Sequence, residues 1–176
     1  MKKVFLYMLL SLLLSGNANA NEFSNWLKSL ELSKIIFQDK EFYMGITYTG
    51  KPGKLQDISE ILFSFIYEDT YSGDGRYLIR AGCKPKGCGN KGMLWIDLEK
   101  KVAIGVIRHS FWEKLDFSKM KKNQIFIFSN FYEDTNRFPK EFIKSYSKWI
   151  SENEIKPSKY RFLNSNNELL DIENIR

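Results

Sequence analysis

The chain has 176 residues, 43% of them hydrophobic and 15% aromatic, with a formal charge of +6 at pH 7. That apolar and aromatic content excludes a disordered chain and supplies a core for one domain. The positive excess is modest and its lysines are spread along the chain, which argues against nucleic acid and for weak attraction to anionic surfaces.

Residues 1–20 read as a signal peptide. Met1-Lys2-Lys3 is a short positive start, Val4 to Leu14 is apolar but for Ser11, and Ala-Asn-Ala ends the segment at Ala20. The apolar run is short for a membrane span, and no cysteine stands near the cleavage point to carry a lipid. Residues 21–176 are then expected to be one exported domain, periplasmic or secreted, without an integral membrane segment.

Phe23 to Phe37 carries Phe23, Trp26, Leu27, Leu30 and Ile35 at spacings near three and four, which predicts an amphipathic helix. Phe42 to Thr49 suits a short strand, and Gly50-Lys51-Pro52-Gly53 breaks it. Leu55 to Tyr67 reads as a second helix, although "ILFSFIYE" is rich in strand formers. Tyr71 to Gly75 is a polar turn. Strands follow over Arg76–Gly82, Gly92–Leu98 and Val102–Arg108, the last two joined at Glu99-Lys100-Lys101. A fourth covers Ile125–Ser129, and Asn130 to Arg137 is a polar loop. Pro139 to Ile150 is a helix with proline in its first turn, and Tyr160 to Leu163 is a candidate edge strand. Short turns between strands predict an α+β fold: an antiparallel sheet of four to five strands with flanking helices.

The residues offer little for catalysis. Cys83, Cys88 and the single His109 fall short of the four ligands of a structural zinc site, and Cys-x4-Cys is not the spacing of a thiol-redox pair. No Gly-x-Ser-x-Gly accompanies His109. The acidic pairs Glu68-Asp69 and Glu133-Asp134 fall in predicted turns, where they solvate. Trp26, Trp95 and Trp149 occupy predicted core positions, and burial is also the better reading for Trp112. We therefore expect a protein that is not an enzyme and carries no metal or cofactor.

An oxidising compartment makes Cys83 and Cys88 a disulfide. A ring this short adds about 2 kcal/mol by chain entropy, so its main effect is to fix the loop. Lys84 and Lys86 flank Pro85, whose φ is fixed, and Gly87 and Gly89 permit sharp turns. Chemistry alone leaves two readings level: a binding tip organised in advance, and a stapled turn with solvated lysines.

"CKPKGCGNKGMLWI" resembles the loop signature of the inhibitor of vertebrate lysozyme family, whose periplasmic members carry a Cys-Lys-Pro-His-Asp-Cys loop. Cys83, Lys84, Pro85, Cys88 and Gly89 match, and the similarity extends over residues 77–107. It implies a protruding loop that plugs a lysozyme cleft, with Lys84, Pro85, Lys86 and Gly87 meeting the partner. Lys86 stands where the family has histidine, and Gly87 where it has the acid. An ammonium still offers three donors to cleft carboxylates, but two basic partners associate slowly. The expected function is thus a lysozyme-inhibitor-like binder of a lysozyme or other peptidoglycan hydrolase. The alternative is an exported structural or interaction protein that shares the fold without inhibiting.

Overall fold

A computed structural model describes residues 25, 26, 29, 43–46, 51–64, 66–84, 88–111, 122–173 and 175. The expected signal peptide lies outside them, as do Trp112 and most of the first predicted helix, of which Asn25, Trp26 and Ser29 are described and helical. Among the described residues no helix is long and apolar enough to cross a membrane.

The class is α+β, as the patterning implies. The elements run β1 (Tyr43–Ile46), β2 (Pro52–Lys54), α1 (Leu55–Ser64), β3 (Ile66–Ser72), β4 (Tyr77–Cys83), β5 (Lys91–Asp97) and β6 (Val102–Phe111). After them come β7 (Lys122–Phe128), a 3-10 turn (Thr135–Arg137), α2 (Lys140–Glu152), β8 (Lys159–Leu163) and β9 (Leu169–Ile172). Strands β3 to β9 form one seven-stranded sheet in sequence order, and β1 and β2 pair separately.

Three expectations need correction. The main sheet has seven strands, not four to five, and it is not wholly antiparallel: β8 runs parallel to β7. The reason is α2. A tight turn reverses a chain, whereas a helix carries it back to the starting end, where the next strand enters in the same direction. The Tyr160–Leu163 segment is consequently interior, with β9 pairing on its far side as the edge. Finally, the helix expected over Leu55–Tyr67 stops at Ser64, and Ile66 opens β3, which extends to Ser72. The strand formers Ile66 and Tyr67 prevail there because β4 offers a full partner, paired from Ile66↔Cys83 to Ser72↔Tyr77.

Burial explains why the central strands read as apolar runs rather than alternating ones. Met93, Leu94, Trp95 and Ile96 are all fully buried, as are Ile125 and Ile127 on β7. A sheet covered on both faces has no wet side. One face, with Leu78, Leu94, Ile96, Ala103, Ile107, Phe126 and Phe128, packs on Met44 and on Leu55, Ile58, Leu62 and Phe63 of α1. The other, with Met93, Trp95, Ile104, Val106 and Phe162, packs on Phe142, Tyr146 and Trp149 of α2. Phe138, ahead of α2, meets Phe142, Tyr132 and Phe162 edge-to-face with centroids 5.1–5.4 Å apart. Such aromatic pairs add to area burial.

The helices are closed by local chemistry. At the end of α2, Ile155 N–H donates to Ile150 O and Glu154 N–H to Ser151 O, both at 3.1 Å, with Glu154 at φ +49°. This is a Schellman cap, and Ile150 and Ile155 join the same apolar cluster.

The turn between β5 and β6 is held by Asp97. Its Oδ1 accepts the backbone N–H of Glu99 (3.1 Å) and Lys100 (3.0 Å), while Arg76 Nη2 bonds Oδ2 at 2.7 Å. Burial disfavours its charge, but the Arg76 hydrogen bond, the backbone donors and the Arg76 charge outweigh that, so the Asp97 pKa is lowered. A depressed folded pKa contributes stability that is full above the unfolded value of about 3.9 and lost as pH falls through the folded one. Asp97→Asn should therefore lower stability at pH 7 and flatten its decline below about pH 4. Urea unfolding of both proteins between neutral and acid pH checks this; an unchanged acid limb contradicts it.

At Gly105 the packing admits no side chain. Gly105 pairs with Phe128, whose ring crosses it so closely that an added Cβ would sit 2.0 Å from Cζ. Gly105→Ala should cost about 1–3 kcal/mol through overpacking. Phe128→Leu in the same chain should recover part of the loss, and a double-mutant cycle by urea unfolding measures it. Additive losses contradict the close approach.

Candidate functional site

The two cysteines of the predicted ring stand at the sheet's edge of order. Cys83 ends β4 and is buried, and Cys88 is exposed three residues before β5. They are disulfide-bonded, with Cα atoms 5.0 Å apart. The bond removes both as thiolate ligands or nucleophiles. The ring is therefore the tip of the β4–β5 hairpin, whose register runs without a break from Tyr77↔Asp97 to Cys83↔Lys91. Lys84 N–H then bonds Asn90 O at 3.1 Å, one more rung across the base of the loop. Lys84 is half-buried at that base. Pro85, Lys86 and Gly87 lie outside the described residues.

The stem of this loop is tied to the second helix. Lys91 Nζ donates to Asn153 Oδ1 at 2.5 Å, and Asn153 Nδ2 donates to Trp149 O at 2.8 Å. Asn153 is the C-cap of α2. A lysine there also sits against the negative end of the helix dipole. One neutral side chain thus couples the stapled hairpin to the helix that covers its face of the sheet.

Arg108 lies directly across from Lys91 on β6. It is half-buried, burial lowers its guanidinium pKa, and its buried Nε meets no hydrogen-bond acceptor. The guanidinium reaches beneath the loop: a Cβ built on Gly89 would stand 3.9 Å from Arg108 Nη1. Lys84, Lys91 and Arg108 therefore share one end of the sheet. At the opposite end the cation Arg76 is matched by Asp97 and Glu99.

The other candidates from the sequence are in structural use. His109 is buried in β6, with Nδ1 3.0 Å from Ser110 O. Glu68 and Asp69 are not in a turn but in β3, drawn into the sheet by the pairing with β4. Asp69 holds buried Arg80 through two 2.7 Å bonds, and that guanidinium lies 3.6 Å from the Trp26 ring centroid and 3.8 Å from that of Tyr67. Asp134 accepts Asn136 N–H at 2.8 Å as the cap of the 3-10 turn. Trp95 and Trp149 are buried as expected, and Trp26 is partly so.

Sequence reasoning missed a groove. It occupies about 740 Å³ between edge strand β3 and helix α2. Tyr77, Ile79, Ala81, Met93 and Trp149 form its apolar floor, and Glu68, Lys140, Lys144 and Glu152 stand around it. It exists because α2 packs over the middle of the sheet and leaves the β3–β4 side of that face uncovered. The signal was faint: Lys140, Lys144 and Lys148 recur at four-residue spacing on α2, the usual mark of a solvated helix face.

Comparison with protein-family models, with curated proteins and with solved structures returned no match.

The bond across Cys83 and Cys88 should contribute little to global stability. The double substitution to alanine should cost about 2 kcal/mol or less in urea unfolding, while amide exchange at Lys84, whose N–H bonds Asn90 O, rises sharply. Unchanged exchange there contradicts a shape-fixing role.

Proposed function

We propose that this chain is an exported, non-enzymatic binding protein of lysozyme-inhibitor type, which presents the ring from Cys83 to Cys88 to the active-site cleft of a lysozyme or other peptidoglycan hydrolase. The observation that carries this reading is the disulfide at the tip of an unbroken hairpin. Backbone pairing up to Lys84–Asn90, the covalent bond, and the Lys91–Asn153 anchor all restrict the stem before a partner arrives. Restriction in advance reduces the ordering cost of binding. Hydrolase clefts of this class act through carboxylates, and the loop end of this chain is rich in cations. In this reading Lys86 meets the acid pair, Lys84 contacts the rim, and Pro85 and Gly87 shape the tip. The resemblance over residues 77–107 supports the same assignment.

A second reading rests on the groove between β3 and α2. Its apolar floor and charged rim suit an interaction protein that uses this face and leaves the ring inert.

The test is residual activity of a vertebrate-type lysozyme and of a bacterial lytic hydrolase with stoichiometric protein added. Inhibition of either is expected, and Lys86→Ala should weaken it by about 2 kcal/mol, as for a central contact. Full activity of both enzymes discards the plug and favours the groove.

A further inference from the structure

We propose that Arg108, with Lys91 beside it, is an oxyanion seat at the base of the disulfide hairpin, built to take a single carboxylate or phosphate-like group. This inference is independent of the hydrolase reading, because it concerns the loop's root and not its tip.

Four observations carry it. Arg108 is half-buried, and burial alone acts on its guanidinium, with no acid among the described residues pairing to it. Buried arginines elsewhere in this chain are handled otherwise: Arg80 has Asp69 in two-point contact and two aromatic faces. The buried Nε of Arg108 has no acceptor, a state that costs free energy until it is met. Lys91 stands in register with it across β5 and β6, so two cations face the same side of the sheet. Its neutral partner, Asn153, satisfies one donor of Lys91 and none of its charge.

A fold that only needed to fill this space would use an apolar side chain. The planar guanidinium is instead a fork that matches two oxygens of one anion. Gly89 is exposed and lies beside Nη1, which a Cβ built there would meet at ordinary contact, 3.9 Å. A small turn of the side chain toward a bound oxyanion also supplies the missing acceptor to Nε.

The experiment is an NMR titration of the purified full-length chain, following the Gly89 amide at constant ionic strength in sodium chloride. One arm adds sodium acetate, the other sodium phosphate. A saturable shift is expected in at least one arm. Tighter acetate binding assigns the seat to side-chain or small-molecule carboxylates, and tighter phosphate binding to phosphorylated groups. Arg108→Met should abolish saturation, and Arg108→Lys, which keeps the charge but not the fork, should weaken binding about tenfold. The methionine variant should also unfold at a urea concentration equal to or above that of wild type in chloride alone. Drift without saturation in both arms overturns the proposal, as does an unchanged curve in Arg108→Met. A clearly destabilised methionine variant overturns it as well, because it shows Arg108 to be held by the fold.

Discussion

The central constraint on this molecule is that β5, β6 and β7 are buried on both faces. Covering a sheet twice needs two layers, and the chain supplies them with α1 on one side and α2 on the other. Every other feature follows from that demand. Glycine stands at Gly105 because a ring already fills its space, and at Gly92 because Phe63 and Leu62 of α1 approach too closely for a side chain. The helix α2 must cross the sheet from β7 to β8, which creates the one parallel pair. The side of the sheet that α2 does not reach becomes the groove.

How much of this could be read in advance varied with the physics involved. The three strands from Arg76 to Arg108 were legible because turn residues punctuate runs of strand formers, though β6 runs on to Phe111. Helix α2 was legible from Phe142, Tyr146 and Trp149 at helical spacing. The α1–β3 junction was not, since "ILFSFIYE" suits either state and only the pairing with β4 decides it. β9 was hidden because Leu169–Ile172 is four residues long and half-exposed, too short for any period to show. The disulfide was legible from the expectation of export and from the closeness of the two cysteines in sequence. The anchor beneath it was not: Lys91, Arg108 and Asn153 are far apart in sequence and meet only through register and a helix cap.

The two ends of the sheet handle charge differently, and the contrast gives the site its character. At the Arg76 end, cations and acids are interlocked with the turn backbone, so charge there serves shape. At the ring end, Lys91 is held by the neutral Asn153, and the Arg108 Nε meets no acceptor.

Strand order that equals sequence order has a kinetic side. From β3 to β7 each strand pairs with the one made just before it, so short chain closures suffice to build most of the sheet. The joining of β8 to β7 is different in kind: some thirty residues intervene between the two, and α2 must form or dock for them to meet. Seating the C-terminal third on β7 is therefore the pairing with the largest chain-closure cost in this sheet, and the span of α2 is what brings its two partners together.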